Sequence, residues 1–182
     1  MHRPKGVTLI ELVTTVGIVA ILTAVAAPSF SDLRHNAERT TAVNNFFHGL
    51  FLARSESIKR AQVITICKSR DGSTCDNEAQ WHDGWMIFVN TDRDDLPVRD
   101  EGEAVLHVNE GWTGGTITSN RAAYSFRPYR QAVVNGTIVF CDPRGSAQAR
   151  AIIISHTGRP RVAQRDASNR ALKCSAPANA TS

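Results

Sequence analysis

Charge is almost missing from the first part of this 182-residue chain: between Gly6 and Asp32 the one formally charged side chain is Glu11. A long apolar run occurs once, so the 42% hydrophobic content does not describe a multi-span membrane protein. Strong charge imbalance is absent too, since 21 Lys and Arg face 17 Asp and Glu for a formal charge of +4, which excludes a disordered polyelectrolyte. One globular domain with a modest core fits this length. Signatures of catalysis are lacking: no nucleophile elbow, metal-ligand spacing or phosphate-cradling glycine loop accompanies Ser155-His156 or His82-Asp83. Neighbours in a strand point to opposite faces, so Ser155 and His156 do not make a nucleophile and base pair. Neither an enzyme nor a cofactor is expected. The four cysteines contain no C-x₂-C pair and no histidine cluster completes a site, so no metal centre is expected. The acidic run Asn90 to Asp95 lacks the glycine and closing Glu of an EF-hand loop, and reads as a solvated loop or subunit contact. No internal repeat is visible.

What is present begins with the N-terminal run VTLIELVTTVGIVAILTAVAAPSF, long enough at about 20 residues per crossing to span a bilayer as a helix. Arg3 and Lys5 precede it, which keeps the short leader in the cytoplasm and sends the rest of the chain across. A secretory signal, cut near Ala24 to Ala27, is the first alternative. Signal cores exclude charge, however, and here a carboxylate sits five residues after the glycine that closes the basic leader. In a plain anchor, Glu11 would cost about 2.5 to 3.5 kcal/mol at mid-bilayer.

Lys5-Gly6 followed by Val7-Thr8-Leu9-Ile10-Glu11-Leu12, an apolar helix and Pro28 resembles the type IV prepilin N-terminus, shared by type IV pilins and the pseudopilins of type II secretion. The resemblance implies cleavage by prepilin peptidase between Gly6 and Val7 and N-methylation of Val7. Glu11 would then offset the N-terminal amine of a neighbouring subunit in a filament core, where an unpaired charge is costly.

Pro28 is expected to bend the helix by removing a backbone donor. Beyond it Val43, Phe47, Leu50, Phe51 and Ile58 recur at helical spacing, predicting one helix over about 7–60, roughly 80 Å long. From residue 61 the period changes. VITIC (63–67), WMIFV (85–89), AVLHV (104–108), AYSF (123–126), GTIVFC (136–141) and AIIIS (151–155) predict six or seven strands separated by turns. Asn135-Gly136 reads as a hairpin turn in preference to a glycosylation sequon, and Trp81, Trp85 and Trp112 as packing residues. Cys67, Cys75, Cys141 and Cys174 all lie on the translocated side, where two disulfides are expected. The preferred pairing is Cys67 with Cys75, closing a short loop, and Cys141 with Cys174, tying down the C-terminal strand.

A narrower resemblance, to the GspH/FimT family of minor pilins and pseudopilins, rests on ARSESIKR (53–60), the 85–89 strand with its acidic loop, Tyr124-Ser125-Phe126-Arg127-Pro128, GTIVFCD (136–142) and SHTGRPRV (155–162). It implies an α+β pilin fold, with a long N-terminal helix packed on a β-rich head. The divisions are a leader at 1–6, a membrane or filament-core helix at 7–30, its amphipathic continuation at 31–60, a head at 61–174 and a disordered tail at 175–182.

Charge within the head is segregated. Residues 71–110 hold eleven acidic against two basic side chains, and residues 121–174 hold ten basic against two acidic. GRPR at 158–161 matches the G-R-x-R motif of DNA-binding FimT-type minor pilins. Gly158 permits a tight turn, and the proline between Arg159 and Arg161 stiffens the presentation of two guanidinium groups to phosphates. Such contacts are sequence-independent and salt-sensitive. Arg144, Arg150 and Arg165 are expected to join Arg159 and Arg161, against the alternatives of a filament-internal electrostatic contact or a solvated surface.

The expectation is therefore a minor pilin held in the bacterial inner membrane with its head in the periplasm. From there it enters a type IV pilus at the tip, priming assembly and binding double-stranded DNA for uptake in transformation. Prepilin peptidase and other major and minor pilins are the expected partners. A minor pseudopilin of type II secretion is the alternative.

Overall fold

The computed structural model describes residues 6–94, 97–128 and 135–174, except for the side chains of 25–28. Residues 1–5 of the leader and the tail at 175–182 lie outside the described residues, as does the Pro28 side chain on which the expected bend rests. Two compact units are present, Met1–Ala37 and Glu38–Ser182.

Helix α1 runs Leu9–Arg60. Thr8 starts it: Thr8 Oγ1 accepts the backbone N–H of Glu11 at 3.4 Å, so Glu11 stands in the first turn, where a carboxylate complements the helix dipole. The hydroxyls of Thr14, Thr15 and Thr23 donate to carbonyls three or four residues back, at 2.8 to 3.0 Å. The polar groups of this apolar stretch are thereby satisfied within the helix itself. α1 is long and apolar enough to cross a membrane, with a mean hydropathy of 2.3 over its most apolar window. Side chains such as Val7, Leu9, Ile10 and Ile21 are exposed.

In the second unit, α1 buries Ala42, Val43, Phe46, Leu50, Ala53 and Ser57. The buried stripe is thus rotated from the predicted one. Val43 and Leu50 are inside, whereas Phe51 is 47% and Ile58 55% exposed. The stripe mixes large residues with small ones, and at Gly49 the Trp85 ring of β2 lies where a Cβ would be.

Eight strands follow: β1 Val63–Lys68, β2 Trp85–Asn90, β3 Val105–Asn109, β4 Thr116–Ser119, β5 Ala123–Phe126, β6 Gly136–Cys141, β7 Arg150–Ile154 and β8 Pro160–Ala163. They form two four-stranded antiparallel sheets, ordered β3-β2-β1-β5 and β4-β6-β7-β8. Sequence patterning missed β4 and β8. Both are four-residue edge strands of the second sheet, and edge strands tolerate the polar or proline-led sequences TITS and PRVA. The predicted hairpin at Asn135-Gly136 is corrected as well: Gly136 opens β6 and pairs with Ile154 of β7, and β5 and β6 belong to different sheets.

One core joins α1 to the inner faces of both sheets, including Ile64, Trp85 and Tyr124 of the first and Ile138, Phe140, Ile152 and Ile154 of the second. Phe46 is its hub, with ring centroids 5.3 Å from Trp81, 5.1 Å from Trp85 and 6.0 Å from Phe140. All three tryptophans are buried. Tyr124 donates to or accepts from Ser119 Oγ at 2.6 Å, and burial pushes its phenol up to about 12. The disulfides are Cys67–Cys75 and Cys141–Cys174. The second holds the C-terminal segment over the outer face of the second sheet, where Leu172 packs on Ala149 and Ala151.

Candidate functional site

Two regions carry the sequence-predicted residues. At the N-terminus, Gly6 and Val7 are exposed ahead of α1, and a Cβ placed at Gly6 would meet nothing within 4 Å. The junction is accessible from all sides. Glu11 is also exposed, among apolar neighbours. Thr8-x-x-Glu11 has the spacing of a capping box, a signal in the sequence that predicts where α1 begins and that the membrane reading passed over.

The second region is the arginine-rich C-terminal part of the head, which the structure does not gather into one patch. β7 runs from Arg150 to Ile154 and β8 returns, pairing Ile154 with Pro160 and Ala151 with Ala163. Arg159 and Arg161 therefore lie at one end of this hairpin. Arg150 lies at the other, about 13 Å away at some 3.3 Å per strand residue, and Arg165 continues toward the same far end.

The far-end arginines are engaged by the protein. Arg144 grips Asp142 with Nε at 3.2 Å and Nη2 at 2.7 Å, and Arg39 on α1 reaches the same carboxylate at 2.8 Å. Burial alone would raise the Asp142 pKa, but the hydrogen bonds and charges of Arg144 and Arg39 outweigh it and hold the carboxyl low. For Arg39, burial and the neighbouring Arg150 charge lower the pKa. Arg150 Nη1 donates to the carbonyls of Gln148 and Ala149, and Arg165 Nη1 to that of Asn169.

The near end differs. Ser155, at the start of the β7–β8 turn, accepts the Gly158 N–H on its carbonyl at 2.8 Å and the Arg159 N–H on its hydroxyl at 3.3 Å. The Ser155 and Thr157 hydroxyls are 2.8 Å apart. Gly158 adopts φ 71°, the left-handed conformation that glycine adopts without strain. Arg159 and Arg161 are exposed, and among the described residues neither has an ion-pair partner.

The acidic block spends its oxygens on its own loops. Buried Glu103 accepts the N–H groups of Thr91 and Asp100 and the Thr91 hydroxyl, while Asp94 accepts from Asn90 Nδ2 and Val98 N. Partial burial, then the charges of Asp92 and Glu103, push the Asp100 carboxyl up. In the 67–75 loop, Asp71 accepts the backbone N–H and hydroxyl groups of both Ser73 and Thr74, which holds its carboxyl far below the usual range. Among the described residues no group of three or more His, Cys, Asp or Glu is arranged to hold a metal ion.

Asn135, expected in a hairpin turn, is clamped by Arg121, which donates to its carbonyl and side-chain oxygens at 3.0 Å.

Comparison with curated proteins returns no significant match. Among solved structures, the type IV minor pilin FimU of Pseudomonas aeruginosa is similar, with 20% identity and a TM-score of 0.53 over 75% of this chain and 94% of that one. A second crystal form of FimU gives 21% identity and 0.51 over 73% and 96%. The minor pseudopilin EpsH from the type 2 secretion system of Vibrio cholerae shares 13% identity, with a TM-score of 0.44 over 69% of this chain and 96% of that one. The likeness to FimU establishes the pilin fold. The family model described as type II transport protein GspH matches residues 42–158, and that of the prokaryotic N-terminal methylation motif matches 1–27. With the head matched over most of its length and the methylation motif in front of it, the chain belongs to the GspH family of type IV minor pilins and pseudopilins.

Proposed function

We propose that this protein is a non-enzymatic minor subunit of a type IV pilus. It is cleaved after Gly6, methylated on Val7, held in the inner membrane by α1 until assembly, and placed at the filament tip. There its β7–β8 turn binds double-stranded DNA for uptake. The observation that carries the DNA reading is the contrast in arginine engagement. Arg144, Arg150 and Arg165 are tied to protein acceptors, whereas Arg159, in the β7–β8 turn, and Arg161, on β8, are exposed with no ion-pair partner among the described residues. A forked donor on a preorganised turn suits phosphate oxygens and reads no base sequence, as uptake of arbitrary DNA requires.

The test is equilibrium binding of the detergent-solubilised full chain to a mixed-sequence duplex at low salt. Arg159→Gln/Arg161→Gln is expected to lose most of the affinity, with an unchanged circular dichroism spectrum. Equal binding by the double variant and the unmodified protein would end the DNA reading.

The family description as a type II transport protein favours a second reading, a pseudopilin of a secretion filament. Deletion of the gene, scored in parallel for piliation, transformation and protein secretion, separates the two: the pilus reading requires loss of the first two with secretion intact.

A further inference from the structure

The β7–β8 turn is also held from outside its own hairpin. Arg54 Nη1, on α1, donates to the Thr157 carbonyl at 2.5 Å across 103 residues of sequence. A guanidinium carries five N–H donors, and among the described residues no other protein partner engages those of Arg54, which is half-buried.

Arg54 thus reaches the turn that carries Arg159, and Arg161 follows on β8. Ile152 and Ile154 face the core shared with α1, so Arg54 approaches from the inner side of the sheet. Arg161 pairs with Ile153 across the ladder and therefore projects from the outer face, while Arg159 lies in the turn between them. The nearby carboxylate on α1, Glu56, is already held by Lys59 and Arg60. A turn that needed only a brace would be served by a neutral donor. Arg54 instead brings a formal positive charge to the turn that carries Arg159, with donors left over beyond the one spent on Thr157.

We propose that Arg54 is a third phosphate-contacting residue of this site, so that a DNA backbone crosses from β8 over the turn onto the last turns of α1. This rests on the DNA reading of the turn, and the two can fail separately. Affinity of the detergent-solubilised full chain for a mixed-sequence duplex is measured as a function of salt. Each phosphate contact contributes about 0.9 to the slope of log affinity against log salt.

Arg54→Gln is expected to flatten the slope by about that amount and to weaken binding at low salt by about threefold to tenfold, as Arg159→Gln and Arg161→Gln each do. Arg54→Lys should keep the slope. An unchanged slope in Arg54→Gln, whether or not affinity falls, overturns the proposal while leaving the DNA reading standing. Duplex binding unaffected by Arg159→Gln/Arg161→Gln overturns both. A readout needing no variant is modification of Arg54 by phenylglyoxal, followed by peptide mass spectrometry: bound duplex should slow it, and equal rates with and without duplex count against the contact.

Discussion

Glu11 concentrates the chemistry of the N-terminal segment in one side chain. Its backbone N–H is capped by Thr8, and its carboxylate stands in the first turn of α1, so the helix tolerates it locally. In an apolar surrounding, it still requires a positive partner. The proposed cleavage between Gly6 and Val7 would create one, a new amine four residues upstream, which a neighbouring subunit could present in a filament. Glu11→Ala is therefore expected to be cleaved normally and to be missing from sheared filaments, read by immunoblot of cell and filament fractions. Normal incorporation would remove this role. The arginines teach the complementary lesson. Arg144 and Arg159 are indistinguishable by residue type, yet one is locked onto a buried carboxylate and the other faces solvent.

At the level of elements, the contact between α1 and the first sheet depends on what α1 omits. Gly49 is buried, and a Cβ there would sit 2.6 Å from the Trp85 ring, which is itself packed against Phe46 and His107. Gly49→Ala is expected to destabilise the head by about 1 to 3 kcal/mol through overpacking despite the better helix propensity of alanine. Urea denaturation followed by tryptophan fluorescence measures this; a neutral or stabilising result would show that the ring can shift. The existence of α1 and of six strands was legible because long apolar periodicity and β-branched runs are local signals. The face that α1 buries was not, since Phe47, Phe51 and Ile58 look more like core residues than Ala42, Ala53 and Ser57 do. Burial there is decided by which face of α1 meets the core it shares with both sheets, and β4 and β8 escaped notice because an edge strand needs neither alternation nor apolar residues on both sides.

At the scale of the whole molecule, two disulfides close loops of different size. Cys67 and Cys75 are 8 residues apart and Cys141 and Cys174 are 33 apart. The chain-entropy account gives roughly 2.5 kcal/mol for the first and roughly 3.7 kcal/mol for the second. Thermal melts should rank Cys141→Ser/Cys174→Ser below Cys67→Ser/Cys75→Ser. The larger loss is also expected to free the C-terminal segment from Ala149 and Ala151, raising its hydrogen exchange. The reverse order would mean that packing of Leu172 holds that segment without the covalent link.

The amino-acid sequence by itself determined the N-terminal methylation motif, the apolar helix and the family, because each rests on contiguous residues whose chemistry does not depend on distant neighbours. It also indicated the cysteine pairs, through compartment and spacing. Tertiary structure alone decided which cations of the basic block face solvent. Arg144, Arg150 and Arg165 meet acceptors within four residues that the folded turns hold in reach, and folding also brings Arg39 of α1 to Asp142 across 103 residues. The same long-range geometry set Arg54 against Thr157 and added α1 to a turn that the motif had described as a four-residue loop.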